Sequence, residues 1–334
     1  MTSPRLDGTN DTVFVQIPSY RDPELLSTLR DCVQKAERPD LLRFGIAWQR
    51  DHNDTLEEFA LDPRVQIMDC HWTESQGACW ARHQIHRLYQ GERYALSLDS
   101  HHRFVESWDS DLKSQFEALG DSKAILTSYL PAYEPDSPID SNPAPVILAA
   151  DRFERGGSLL VVPLSVDREP RLRRAVRARF WSAHFAFSFG TIIGDVPYDP
   201  ELYFLGEEIS IAVRAFTHGY NLFHPDRPVA FHRYGRTGRP IHWEDLGADF
   251  GPRPGAWRLD LRSKQRLRAL LGMEESAIDL GRFGLGTHRS LSDYERYAGV
   301  RFADRNLSDD AVNGLEPGDE TLSECPAIST GAIS

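Results

Sequence analysis

Two residue types that bind divalent metal ions follow a short apolar run in the first third of the chain. Residues 94–98 (YALSL) lead directly into Asp99, Ser100, His101 and His102. An apolar run that stops at polar residues predicts a buried strand ending in a loop. Side chains two apart leave the same face of extended backbone, so Asp99 and His101 point together while His102 points away. A carboxylate oxygen and an imidazole nitrogen on one face indicate two thirds of a metal site.

The same residues also fit a structural interpretation. Asp99 is a residue type that caps helices, and the histidines after it can simply be solvated. The residue types alone do not separate the two interpretations. The position of the strand bears on the choice, because open α/β sheets bind ligands beyond the carboxyl ends of their strands.

Strands and helices alternate ahead of this stretch. Apolar, β-rich runs cover residues 12–17, 42–48 and 65–70, and apolar residues recur at helical spacing over 24–37 and 77–89. This alternation predicts βαβ units with a mainly parallel, Rossmann-like sheet and flanking helices. Later patterns predict helices at 104–119, 207–218, 265–271 and 293–300, strands at 124–129, 158–164, 220–223 and 229–231, and an irregular proline-rich segment at 131–145.

Composition limits the classes of function. The 334 residues carry a formal net charge of −12, which argues against nucleic acid or an anionic membrane as a general partner. No apolar run approaches the length of a membrane span. Four cysteines without paired spacing suit a reducing compartment, and the polar residues 1–11 form no signal core, so we expect a flexible N-terminus and a cytoplasmic protein. Residues 308–334 are acidic and poor in large apolar side chains, which predicts a disordered tail.

Four motifs in order give the chain a family resemblance. They are residues 17–23 (IPSYRDP), 98–104 (LDSHHRF), 206–210 (GEEIS) and 284–289 (GLGTHR). Together they resemble the Skp1-type N-acetylglucosaminyltransferases, with the similarity covering residues 12–305. That family consists of cytoplasmic, metal-dependent enzymes of the GT-A fold. They transfer N-acetylglucosamine from UDP-GlcNAc, with retention of configuration, to a hydroxyproline of a protein.

The resemblance implies a division of the chain. Residues 12–120 would form the nucleotide-binding half of a GT-A domain. Residues 121–305 would form the acceptor-binding half and contain a smaller sheet. The proline-rich segment and the loosely matching residues 182–190 lie where the acceptor should bind, so the acceptor stays open among a protein hydroxyl, a glycan and a small molecule.

The resemblance also implies a complete metal site. The Asp99-Ser100-His101 motif is similar to that of the polypeptide N-acetylgalactosaminyltransferases, in which the Asp and His bind a divalent ion and a later His completes the site. The matching late residue in this chain is His232. Mn²⁺ or Mg²⁺ would bridge the diphosphate and stabilise its developing charge, and the imidazoles favour Mn²⁺.

Residues after the first strand are the implied nucleotide contacts. They are Pro18, Ser19, Tyr20, Arg21 and Asp22. Tyr20 could stack on the uracil, Asp22 could accept hydrogen bonds from the ribose, and Arg21 could meet a phosphate. A turn that caps the following helix through Asp22 is equally consistent with the pattern.

Further donor contacts are implied on neighbouring elements. Gln49 and Arg50 follow the second strand, and Ser100 lies within the metal motif. Arg82 occupies the place where GT-A enzymes often have a cation near the diphosphate, and a guanidinium suits phosphate because it binds two oxygens at once. An exposed helix arginine is the alternative for Arg82.

Glu207 and Glu208 are the implied catalytic residues. One of them, Glu207 in the first instance, would bind sugar hydroxyls and the other would orient the acceptor. Carboxylates in a first helical turn are also favoured by the helix dipole alone. Trp181 and His184 could shape the sugar pocket or belong to the core. A retaining transfer proceeds through an enzyme nucleophile or a front-side attack, and the sequence does not choose between them.

Three other functions remain compatible with these residues. One is a GT-A transferase with a different UDP-sugar and a glycan or small-molecule acceptor. Another is a metal-dependent hydrolase built on the same Asp and His side chains. The third is a catalytically silent GT-A domain that binds a glycan or a protein.

Overall fold

An eight-stranded mixed sheet forms the centre of the molecule. The computed structural model describes residues 11–135, 137–140, 143–165, 174–247 and 255–318. The strands are β1 (Val13–Tyr20), β2 (Leu42–Arg50), β3 (Val65–His71), β4 (Tyr94–Leu98), β5 (His102–Phe104), β6 (Ala124–Thr127), β7 (Val146–Phe153), β8 (Leu159–Ser165), β9 (Val176–Arg177), β10 (Phe185–Phe189), β11 (Asn221–His224), β12 (Ala230–His232), β13 (Val300–Arg301) and β14 (Asn306–Leu307). The α-helices are α1 (Leu25–Lys35), α2 (Ala78–His86), α3 (Trp108–Glu117), α4 (Ile192–Asp195), α5 (Glu207–Thr217), α6 (His242–Asp245), α7 (Ala256–Leu270), α8 (Leu291–Ala298) and α9 (Asp309–Val312).

The strand order of the central sheet is β3-β2-β1-β4-β10-β6-β11-β9. The first four strands are mutually parallel, as the alternating pattern predicted. β10 runs antiparallel to both of its neighbours, β4 and β6. The carboxyl ends of β1, β2 and β4 therefore meet at one edge, where a sheet of this type binds its ligand.

Burial explains why these segments form a two-sided sheet. All five residues of β4 are buried, and so are the first five of β1, because helices cover both faces. The strongly amphipathic α1 packs Leu25, Leu29 and Cys32 inward. α5 is buried along nearly its whole length, which makes its first turn part of the interior.

A two-stranded sheet brings the late histidine to the metal motif. β5 pairs antiparallel with β12, and His102 lies opposite His232 in this register. Residue Ala132 also bridges to His232 from the other side. This small sheet joins the two predicted halves of the chain, because β5 belongs to the first half and β12 to the second.

Several elements differ from the sequence-based expectations. The pattern did not predict β5, β7 or β10, and α7 begins at Ala256 rather than near residue 265. The tail was expected to be disordered from residue 308, but α9 forms there and Glu316 pairs with Arg174. Residues 1–10 and 319–334, which hold most of the predicted flexible ends, lie outside the described residues.

Among the residues that the structure describes, no helix has both the length and the apolar character needed to cross a membrane. The longest helix is α7, which alternates charged and apolar residues and packs only one side inward.

Candidate active site

Asp99 lies directly after β4 and faces two kinds of partner. Its Oδ1 accepts a hydrogen bond from the Arg82 guanidinium at 2.6 Å. Its Oδ2 lies 3.3 Å from His232 Nε2 and 3.8 Å from His101 Nε2. Burial alone would raise the pKa of Asp99, but the hydrogen bond from His232 and the charge of Arg82 hold it well below its usual range. Asp99 is therefore an anion at neutral pH.

The contacts of His101 leave one of its nitrogens available to a metal ion. Its Nδ1 lies 2.7 Å from Asp22 Oδ2. Burial would raise the pKa of Asp22, but the hydrogen bond and charge of His101 lower it overall, so Asp22 is the acceptor. Nδ1 then donates to Asp22, and Nε2 is the ring nitrogen that faces Asp99. A carboxylate that orients a histidine in this way is the common outer shell of metal sites.

His232 supplies a second neutral imidazole. It is buried, and burial lowers its pKa to about 4 even though the hydrogen bond to Asp99 acts in the opposite direction. Two ligands on one ion with bonds of about 2.1 Å lie roughly 3 Å apart when adjacent and roughly 4 Å apart when opposite. The separations of Asp99 from His232 and from His101 each fall in this range, so either imidazole could share an ion with Asp99.

A third imidazole, that of His184, lies against this group. Its ring stacks on His232 with centroids 4.1 Å apart. Asp99, His184 and His232 each place one metal-binding atom within 4.8 Å of those of the other two. The sequence interpretation placed His184 in the sugar pocket or the core, because nothing in its local sequence connects it to Asp99.

Arg82 is buried beneath Asp99 rather than open to a diphosphate. Besides Asp99, it donates to Ser97 Oγ at 2.9 Å and to the Leu98 carbonyl at 3.0 Å, and its Nε lies 2.7 Å from Glu207 Oε1. Only 2% of the residue is exposed. The geometry therefore gives Arg82 the role of orienting Asp99.

The two glutamates at the start of α5 are both engaged by protein groups. Glu207 is buried against Arg82, and burial raises its pKa. Glu208 accepts hydrogen bonds from Tyr129 Oη at 2.8 Å and from the Ala183 backbone at 3.1 Å. Burial raises the pKa of Glu208 to about 7, although those hydrogen bonds oppose the shift. Neither glutamate is among the residues that line the cavity described next.

A cavity of about 250 Å³ opens above the Asp99 carboxylate. Among the sequence-predicted residues, those that line it are Pro18, Tyr20, Asp22, Gln49, Asp99, Ser100, His101 and His232. The predicted nucleotide contacts and the predicted metal ligands thus meet in one space. Asp22 Oδ1 also accepts a hydrogen bond from the Glu24 backbone at 2.9 Å, in the turn that precedes α1.

Besides Arg82, three of the predicted contacts lie outside this cavity. The Ser19 side chain is buried within β1. Arg21 donates to Asp245 at 2.8 Å and lies over the ring of Trp72. Arg50 forms an ion pair with Asp69 at 2.8 Å. Those contacts keep the two arginines on the rim.

Sequence reasoning missed the segment that closes the cavity. Residues 234–243 follow His232 and contribute Tyr234, Arg236, Arg239, His242 and Trp243 to the lining. Arg239 is nearly buried, and its Nη1 lies 3.5 Å from Asp22. The available signal was the run HRYGRTGRP, which places three arginines within seven residues of the predicted third ligand.

A second cavity of about 480 Å³ adjoins the first. The two share Phe204, Arg236 and Trp243 as lining residues. The second cavity is further lined by Tyr203 and Trp257, so its walls are largely aromatic. Trp257 is 55% exposed, which is unusual for so large an apolar side chain.

Comparisons with known proteins agree with this architecture. The family model described as Glycosyltransferase (GlcNAc) matches residues 12–62 and 53–304. A crystal structure of GalNAc-T7 with UDP, GalNAc and Mn²⁺ is similar at a TM-score of 0.57 and 15% identity, over 78% of this chain and 48% of that chain. A structure of residues 1–349 of S. aureus TarS in complex with UDP-GlcNAc has a TM-score of 0.46 and 11% identity, over 80% and 68% of the two chains. A search of curated proteins found no match.

The likeness to GalNAc-T7 shows the GT-A fold, and this chain spans about half the length of that protein. The family model accounts for nearly all of the chain between β1 and α9. The chain has the GT-A fold and belongs to the Glycosyltransferase (GlcNAc) family.

Proposed function

We propose that the protein transfers N-acetylglucosamine from UDP-GlcNAc to an acceptor hydroxyl, with retention of configuration and with a divalent ion. The observation that supports this most directly is that Asp99, His101 and His232 line the same cavity as the predicted nucleotide contacts. The membership in the GlcNAc family supports the choice of sugar.

Asp99, His101 and His232 would hold the ion, which supplies Lewis-acid stabilisation of the diphosphate leaving group when bound. Arg82 fixes the Asp99 carboxylate from below, and Asp22 fixes the tautomer of His101. Burial keeps His232 neutral, as a ligand must be. Two of these three donors are imidazole nitrogens and one is a carboxylate oxygen, and such a set favours Mn²⁺ over Mg²⁺.

The remaining cavity residues would bind the nucleotide. Tyr20 offers a ring at one wall, and its hydroxyl is held by Asp245 at 3.1 Å. Arg236 and Arg239 are the cationic residues in the lining, and they take the diphosphate-binding role that the sequence suggested for Arg82. Arg239 Nε is buried and has no hydrogen-bond partner within the described part of the chain, so it can donate to a phosphate oxygen.

The acceptor would approach from the second cavity, because that cavity shares a wall with the first. Its aromatic lining suits an acceptor with apolar faces, and a protein hydroxyproline of the Skp1 type is one such acceptor. Glu207 and Glu208 then act by positioning, Glu207 through Arg82 and Glu208 through Tyr129 and the backbone before His184.

A panel of UDP-sugars with Mn²⁺ tests the donor and the chemistry together. We expect UDP release to be fastest from UDP-GlcNAc, and we expect Asp99→Ala and His101→Ala proteins to lose it while keeping their circular dichroism spectra. Faster release from UDP-glucose or UDP-galactose would refute the choice of sugar. Full turnover in folded Asp99→Ala protein would refute the metal-dependent mechanism.

Calorimetric titration with UDP separates this proposal from the two other functions. A metal-dependent hydrolase on the same residues would not need UDP, whereas the proposed transferase binds UDP with Mn²⁺. A silent binding domain would bind UDP or a glycan without any turnover of UDP-GlcNAc.

A further inference from the structure

We propose that His184 is a fourth protein ligand of the metal ion, so that the centre is built from Asp99, His101, His184 and His232. This inference rests on the metal-dependent function proposed above. It adds a residue that no motif indicates, and it makes the site selective for Mn²⁺ and similar transition ions over Mg²⁺.

The strand register places His184 beside Asp99. β10 pairs antiparallel with β4, and Phe185 lies opposite Leu98. One step beyond this pair, the two chains reach His184 and Asp99. The first residue before β10 and the first residue after β4 are therefore neighbours across the ladder, independently of side-chain conformation.

Side-chain distances agree with this register. Ligand atoms of Asp99, His184 and His232 lie within 4.8 Å of one another. Opposite ligands on one ion are about 4.2 Å apart for bonds of about 2.1 Å. The three atoms therefore lie close to the spacing that ligands of one ion require.

The environment of His184 suits a ligand. The residue is buried, with 6% of its surface exposed. Its Nε2 has two long contacts, 3.4 Å from the Leu130 nitrogen and 3.4 Å from Tyr234 Oη. Contacts of this length are at the outer limit of hydrogen bonding and hold the ring in place only weakly.

The donor set then determines the metal. Three imidazoles and one carboxylate form a borderline set, which transition ions bind better than Mg²⁺, an ion that prefers oxygen ligands. The diphosphate of a sugar nucleotide would add oxygen donors to this set when it binds.

Electron paramagnetic resonance of Mn²⁺ tests the ligand directly. The electron-spin-echo modulation from nitrogen should show three imidazoles in the wild-type protein and two in His184→Ala and His184→Gln. We expect the dissociation constant for Mn²⁺ to rise at least about tenfold in both variants. His184→Asp should narrow the preference for Mn²⁺ over Mg²⁺, because it replaces nitrogen with oxygen.

His224→Ala is the matched control. His224 is also a buried, neutral imidazole, but it bonds to the Thr127 and Leu148 backbones and is not part of the metal group. This variant should lose a similar number of buried side-chain contacts, and its Mn²⁺ should still couple to three imidazoles as in the wild-type protein. Melting temperatures of all variants identify any that fail to fold.

The outcomes distinguish this inference from the proposed function. If wild-type protein binds Mn²⁺ and folded His184→Ala or His184→Gln shows the same nitrogen count with an affinity within twofold, His184 is not a ligand and the function proposed above stands. If the wild-type protein binds no Mn²⁺, both proposals are wrong.

Discussion

The two oxygens of Asp99 divide the active site into a supporting side and an open side. Oδ1 is held by Arg82, which is in turn paired with Glu207. Oδ2 faces the imidazoles of His101 and His232. Breaking the buried ion pair between Arg82 and Glu207 would leave an uncompensated charge. Because that is costly, Arg82 stays in place beneath Asp99. A fixed carboxylate of this kind is what a metal ligand requires.

Asp22 is the residue on which the tautomer of His101 depends. Asp22→Asn keeps an oxygen for the Glu24 backbone N–H but presents an amide donor to His101 Nδ1. His101 would then carry its proton on Nε2 and could not bind an ion. We expect the dissociation constant for Mn²⁺ to rise about 10–100-fold, measured by calorimetry.

Asp51→Asn serves as the control for this change. Asp51 is an exposed carboxylate whose nearest cation is Arg21, at 3.7 Å, and it does not line the cavity. Its loss should leave Mn²⁺ affinity unchanged. Equal affinities for the Asp22→Asn and wild-type proteins would show that the tautomer of His101 does not matter.

Glu208 makes stability depend on pH. Its folded-state pKa is about 7 against an ordinary value of 4.5, so the folded protein binds this proton more tightly than the unfolded chain. Its contribution to stability is complete below pH 4.5 and falls as the pH rises to 7. The Gln in Glu208→Gln mimics the protonated acid, so the variant should gain stability relative to wild type between pH 5 and pH 8.

Urea unfolding at both pH values measures this difference. The gain should be on the order of 1 kcal/mol or more, since one pKa unit corresponds to about 1.4 kcal/mol. A constant difference in unfolding free energy from pH 5 to pH 8 would show that Glu208 titrates normally.

At the scale of elements, the site depends on how α2 begins. Gly77 precedes α2 at a φ of +104°, and Arg82 projects from the helix one turn later. A Cβ at Gly77 would lie 2.3 Å from the Tyr203 carbonyl oxygen. The glycine therefore allows both the left-handed backbone and the close approach of the segment before α5.

Gly77→Ala should destabilise the protein by about 2–4 kcal/mol, from backbone strain together with the steric overlap. Gly91→Ala is a matched control, because Gly91 has a φ of +95° and open space around its Cβ position. That variant should cost only about 1–2 kcal/mol. Equal losses in urea unfolding would show that the contact with Tyr203 relaxes freely.

The parallel half of the fold was predictable from the sequence because its strands are short apolar runs followed by helices. β4 was predicted with its observed bounds, and Asp99 and His101 followed from it. β10 was not assigned, since its alternation of Phe with small residues does not distinguish a strand from a helix. His184 therefore stayed unconnected to Asp99, because only the register of β10 against β4 brings them together.

The cavity-closing segment was missed for a different reason. Residues 234–241 form no regular element, so no periodicity marks them. Their position follows from β12. The pairing of β12 with β5 fixes His232, and the residues that follow it then cross the cavity. β5 and β12 are only three residues long and lie far apart in the sequence. Strands this short carry too little periodicity for their pairing to be predicted.

At the scale of the whole molecule, the two cavities form one continuous surface with a shared wall. Trp243 is in that wall, where it packs against Phe204 and lies beneath Arg236. Trp257 lines only the second cavity. The first cavity contains the predicted nucleotide and metal residues, so the wall separates donor from acceptor if the proposed function is correct.

Alanine substitutions at the two tryptophans should therefore separate donor binding from acceptor binding. Trp243→Ala removes the support of Arg236 and should weaken Mn²⁺-UDP binding and slow UDP-GlcNAc hydrolysis by about tenfold, a loss of about 1.4 kcal/mol. Trp257→Ala should leave both within twofold of wild type, because the ring is exposed and lies away from the metal residues. Calorimetry and UDP release measure the two effects. Equal losses in both variants would mean that the second cavity also binds the donor, and the acceptor would then have to approach from another side.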